Sequence, residues 1–179
     1  ELGGDPRAVA RSANIELEQL QDPDALLDND LITTVLSQSA LTTNCDHFGL
    51  ELGQQRDLSR YFGTLGDIAQ SAATLGDALR EVFDLMRIHT EATLWQLQCD
   101  GEVGYVIFSL IDDSAGSYKQ VEQLVITLFW RFMDFLSEQQ WHPTIVNFTF
   151  AAPADSVPYR RIFDAPIVFD ADFCGVVFH

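Results

Sequence analysis

Apolar residues recur at helical spacing up to about residue 90, alternate to residue 111, return to helical spacing after residue 117 and alternate again from residue 144. Helices are therefore predicted first and a sheet interrupted by helices afterwards. Pro6 to Asn14 reads as a short helix opened by Asp5. Glu16 to Gln21 reads as another, closed by the DPD at 22–24. Between Leu31 and Thr43, Leu31, Ile32, Val35, Leu36 and Leu41 keep helical spacing. HFGLELG at 47–53 predicts a helical turn or short helix ending at Gly53.

The segment 64–85, TLGDIAQSAATLGDALREVFDL, contains TLGD twice. In each copy a Thr precedes an Asp by three residues, the arrangement of a capped helix start. The hydroxyl accepts from an early backbone N–H and the acid suits the positive end of the helix dipole. The separation is too short for a solenoid repeat, and the lone glycines do not make a phosphate loop. Two helix starts are predicted, the second opening a helix over 75–90. On that helix Leu75, Leu79, Val82, Met86 and His89 share one face.

ATLWQLQCD (92–100) and GEVGYVIFSLI (101–111) then predict a hairpin turned at Asp100-Gly101. Ser117 to Glu138 is the longest predicted helix. Its apolar arc exceeds the usual stripe of about 100°, so it needs cover on more than one side, from a sheet and from other helices or a partner subunit. Gln123, Thr127, Arg131, Asp134 and Glu138 form its polar edge. TIVNFTF (144–150) reads as a strand, and APADSVPYRRIF (152–163) as the start of a short helix capped by Asp155 or Ser156. PIVFD (166–170) and FCGVVF (173–178) read as two closing strands. The prediction is an α+β fold: N-terminal helices, then ββαβαββ, a mostly antiparallel sheet of about five strands on a long helix. One domain is expected over residues 1–179, with a helical part to residue 45 and the α+β core from 46.

Composition narrows the function. Ten Lys and Arg stand against 27 Asp and Glu, a net charge of −17. A chain so acidic lacks the cations that neutralise phosphates, which argues against direct nucleic-acid binding and against docking on an anionic membrane. No apolar run is long enough to span a bilayer. Cys45, Cys99 and Cys174 are scattered, without zinc spacing, and suit reduced thiols in the cytoplasm. Asp22, Asp24, Asp28 and Asp30 lack the EF-hand glycine and closing glutamate, and Asp112-Asp113 reads as a turn. None of the four histidines sits in a metal or catalytic motif, and no nucleophile elbow is present. No catalytic residue, cofactor or metal is expected. His89 lies on an apolar helical face near the helix end. Two roles suit it: a hydrogen-bonded core or dipole partner, or a polar group pointing into an apolar ligand cavity that Trp95 and Trp130 could line.

HFGLELGQ (47–54), SAATLGDALREV (71–82) and RIHTEATL (87–94) resemble, in this order, the N-terminal sensor domain of one branch of the AraC/XylS transcription regulators. ELGGDPRAV at the start and WHPTIVNFTFAAPADSVPYRRIFDAPIVFDADFCGVVF (141–178) are similar to the same domain, so the resemblance spans nearly the whole chain. It implies a domain that senses a small-molecule effector, possible homodimers, and DNA contact only through a separate C-terminal helix-turn-helix part. The missing initiator Met leads us to expect an excised domain. The helical first half opposes the cupin barrel of the arabinose regulator that names the family. We expect Arg87, His89, Trp95 and Trp130 to contact the effector. An interaction module without a ligand, and an enzyme on a similar scaffold, are the alternatives.

Overall fold

The computed structural model describes residues 2–22, 25, 27–55, 58–89, 93–111 and 118–179, the side chains at 58–61 and 87–89 excepted. Six helices come first: α1 (Pro6–Ser12), α2 (Leu17–Gln21), α3 (Asn29–Thr42), α4 (Phe48–Gln55), α5 (Leu58–Ser71) and α6 (Leu75–His89). The hairpin β1 (Thr93–Asp100) and β2 (Val103–Leu110) follows. The chain then runs through α7 (Lys119–Leu136), β3 (Ile145–Asn147), α8 (Val157–Phe163), β4 (Ile167–Val168) and β5 (Cys174–Phe178). This is the expected ββαβαββ order. The sheet is open, ordered β1-β2-β5-β3-β4, and among the described residues only the β3–β4 pair is parallel. It is not a closed barrel. The Asp22 end of the DPD, the 112–113 turn and Ser117 divide differently: Asp22 caps α2, while Pro23, Asp24, Asp112, Asp113 and Ser117 lie outside the described residues.

Local chemistry accounts for the boundaries. Asp5 accepts from the Arg7 N–H at 2.9 Å and Asp28 from the Leu31 N–H at 2.8 Å, each capping its helix. At the second TLGD, the Thr74 hydroxyl accepts from the Asp77 N–H at 3.1 Å and donates to the Asp77 carboxylate at 2.7 Å. The first TLGD follows a break inside α5, where Gly63 takes φ 45° and ψ −126°. A helical run precedes this break, which sequence spacing did not reveal. In the hairpin, Gly101 at φ 62° opens a two-residue turn between the paired Asp100 and Val103.

Two expectations are corrected. The strand predicted over 144–150 shortens to 145–147, because the Thr149 N–H leaves the ladder for the Glu122 carboxylate at 2.9 Å. The Thr149 hydroxyl bonds the same carboxylate. The second correction concerns the polar edge of α7. Gln123 and Thr127 are 0% exposed, and neighbouring Gln120 and Glu122 are also buried. Helix α4 lies on this edge. Gln120 accepts from the Gly49 N–H at 2.8 Å and donates to the Asp46 carbonyl at 3.0 Å. The Gln123 amide donates to the same carbonyl at 3.2 Å and to the Tyr159 hydroxyl at 2.7 Å. Further along, Arg131 donates to the Gly53 carbonyl at 2.8 Å. The helices approach closely because Gly49 and Gly53 lack side chains. A Cβ at Gly49 would stand 2.2 Å from the Gln120 carbonyl oxygen, and one at Gly53 would stand 2.7 Å from the Thr127 Cβ.

The core lies between α7 and the inner face of the sheet, with Ile126, Met133, Val106, Val146, Phe148, Tyr159, Phe163 and Val176 all at 0% exposure. Each such large side chain contributes about 1.5–3 kcal/mol of transfer free energy. Helices α3, α4, α5 and α8 cover the rest of α7, so the cover that its wide apolar arc requires comes from this chain. Burial pushes the Tyr159 phenol well above its ordinary pKa, and the Asp46 carboxylate adds to the shift. Burial likewise raises the Cys174 thiol, reinforced by the charge of Glu122.

Gly49→Ala should therefore lower stability by about 1–3 kcal/mol through overpacking. Gly76→Ala, whose Cβ would meet nothing closer than the Arg80 side chain at 3.5 Å, should be neutral or gain up to ~1 kcal/mol; urea unfolding measures both. The folded chain also holds the protons of Cys174 and Tyr159 that the unfolded chain releases. Their stabilisation is complete below the unfolded values and declines as pH rises past them. The urea midpoint should fall from about pH 8.5 upward, with Cys174→Ala flattening the first part and Tyr159→Phe the part above about pH 10.

Candidate functional site

On a face beside its seam with α4, helix α7 borders a cavity of about 260 Å³. Val121, Leu124, Val125, Leu128, Phe129 and Phe132 form its floor, spaced three and four apart on one helical face. Alternation along the hairpin brings Thr93 and Trp95 of β1, with Phe108 and Leu110 of β2, to the same side of the sheet. Val82, Phe83 and Met86 of α6 form a third wall. Asn29, Ile32, Thr33 and Leu36 of α3 form a fourth, and Phe62 of α5 closes a corner.

The walls are aromatic and mutually supported. Trp95 stacks on Phe83 with ring centres 5.6 Å apart and meets Phe108 at 5.0 Å and Phe129 at 5.5 Å. Phe62 stacks on Phe132 at 4.3 Å. Such contacts fix ring orientation as well as burying area. Polar groups are sparse: among the described lining residues the side-chain polar groups are those of Asn29, Thr33 and Thr93 and the indole N–H of Trp95, and none carries a charge. A mostly apolar hollow with a few polar groups is the ordinary form of a small-molecule site. A second, more open hollow of about 560 Å³ lies between the N-terminal segment and α1–α4, with Asp5, Gln21, Glu51 and Gln55 on its walls. It is larger and more open than the first, and it has the charged side chains of Asp5 and Glu51 among its apolar walls. Among the described residues no group of three His, Cys, Asp or Glu could hold a metal ion.

The sequence-predicted site residues divide between different places. Trp95 is half-buried in the cavity wall. Trp130 does not line this cavity; it meets Phe163 of α8 edge-on at 6.3 Å, with its indole N–H buried and unpaired among the described residues. Arg87 and His89 continue α6 just past Met86, and their side chains lie outside the described residues. Sequence reasoning found the Val82–Met86 face but passed over Phe83, Phe108 and Phe129, whose spacing is that of any core residue. Asn29 and Thr33 gave no signal, because a polar residue on an early helical turn reads as a cap or a solvent position.

Comparison with known proteins adds a relation to this geometry. A family model described as the N-terminal arabinose-binding domain of AraC transcription regulators matches residues 3–179. Among solved structures, the transcriptional regulator CdpR from Pseudomonas aeruginosa is similar in fold, with a TM-score of 0.64 at 20% sequence identity. The match covers 97% of this chain and 52% of that one, so the chain spans about half the length of that regulator. No relative was found among curated proteins. Among the described residues no helix is long and apolar enough to cross a membrane.

The cavity should accept a larger side chain from its floor. Val125→Phe should change stability by less than about 1 kcal/mol. Val106→Phe, at a position with 0% exposure, should cost about 1–3 kcal/mol by overpacking, both read by chemical unfolding.

Proposed function

Because this chain belongs to the family of N-terminal arabinose-binding domains of AraC transcription regulators, we propose that it is the effector-sensing domain of a bacterial regulator and that the apolar cavity is its effector site. The supporting observation is the cavity itself: an aromatic-walled space left open between α3, α6, α7 and the hairpin, where a purely structural core would be filled. In this reading Trp95 contacts the effector inside the cavity, and Arg87 and His89, just past Met86 on α6, act at its edge and not in its apolar interior. Trp130, on another side of α7, is assigned to packing.

The effector acts by binding one arrangement of the domain better than another, and it can shift the equilibrium only by that difference in affinity. DNA is contacted by a C-terminal helix-turn-helix part outside these residues, in keeping with the net charge of −17 here. The protein acts in the cytoplasm. A homodimer, if formed, draws little on α7, since Phe135 is its one large apolar side chain exposed among the described residues.

Thermal unfolding of this chain against a panel of metabolite classes, arabinose included, tests the proposal. A true effector at 100 times its Kd should stabilise by about 2.7 kcal/mol. The same compound should change promoter binding by the full-length regulator, and Val125→Phe should remove that response. If no class of metabolite stabilises the chain, the sensing role is lost.

A further inference from the structure

We infer that the cavity selects an uncharged, hydrocarbon-bodied molecule, aromatic or alkyl, and rejects free sugars and amino acids. This rests on the cavity being the effector site and names the chemistry it accepts.

Three observations lead there. The first is the scarcity of partners. Asn29, Thr33, Thr93 and the indole N–H of Trp95 supply the side-chain polar groups of the described lining, and all are neutral. A free sugar carries a hydroxyl on nearly every carbon, and each one buried without a partner lowers affinity by roughly ten- to a hundred-fold. An amino acid brings an ammonium and a carboxylate, and each needs a counter-charge once it leaves water. The second observation is the wall. Phe83, Trp95, Phe108 and Phe129 present ring faces and edges in mutual contact, a surface that gains by dispersion and by loss of water from apolar matter. The third is size. An apolar cavity of about 150 Å³ holds benzene, so about 260 Å³ holds a body of about ten carbons. The overall acidity of the chain, −17, further disfavours an anion over a neutral molecule of the same shape.

Isothermal titration of this chain with naphthalene and 1-octanol, set against L-arabinose and L-ornithine, tests the inference. The expected result is saturable binding of one or both apolar probes and none of the polar pair. Val125→Phe should weaken the apolar probe at least about tenfold, while Thr33→Val should leave naphthalene binding unchanged or tighter. Should Val125→Phe fail to fold, contacts between bound naphthalene and the Val125 and Leu128 methyl groups in the wild-type chain, seen by NMR, give the same answer. Arabinose or ornithine binding that Val125→Phe abolishes would overturn the ligand class and keep the cavity as the effector site. Binding of no probe overturns the ligand class, and the wider metabolite panel then decides the fate of the site itself. Apolar binding unaffected by Val125→Phe, with no contact to the two methyl groups, puts the ligand elsewhere and overturns the inference.

Discussion

The seam between α4 and α7 is the constraint on which the rest of the fold depends. Helix α7 runs through the middle of the molecule and cannot show a polar face to water, because α4 covers that face. Gln120, Gln123 and Thr127 are buried and so must find partners inside the protein. The partners are the Gly49 N–H, the Asp46 carbonyl, the Tyr159 hydroxyl and the Gln123 carbonyl of α7 itself. Lys119 closes one end with an ion pair to Asp46 at 2.6 Å, and Arg131 holds the Gly53 carbonyl towards the other. Loss of one member would strand the others in a low dielectric, so the set acts together.

With most of its polar edge hydrogen-bonded in this way, the Gln123 side-chain oxygen excepted among the described residues, α7 can devote a different face to apolar contact. That face meets the sheet at one end of its arc and the cavity at the other. Glu122 extends the same logic to the sheet side. Its buried carboxylate is held by the Thr149 N–H and hydroxyl, and it fixes where β3 stops. The cavity is a gap bounded by α3, α5, α6, α7 and the hairpin. Trp95 contributes from the hairpin, braced by three other rings.

Much of this was legible in the sequence where the cause is local. The Thr74–Asp77 cap, the Gly101 turn, the strand alternation and the order of elements each follow from residues within a few positions of one another. What was not legible depends on distant partners. Gln123 and Thr127 read as a polar edge because nothing near them announces Gly49 and Gly53, more than seventy positions away. The helical run before Gly63 was hidden by a backbone conformation that only glycine takes readily. At the site, the α6 face and Trp95 could be read from helical spacing and strand position. Thr33 and Asn29 could not, since which side of α3 faces the cavity is decided by how α3 lies against α7.

The absent side chains at Gly49 and Gly53 also have a mechanical meaning. Where two helices touch through long side chains, each can shift by about an ångström while rotamers absorb the difference. Here the backbone of α4 rests directly on α7, and little compliant material lies between them. The pair has few long side chains at its contact to absorb a displacement of α7, and α3 packs on both helices.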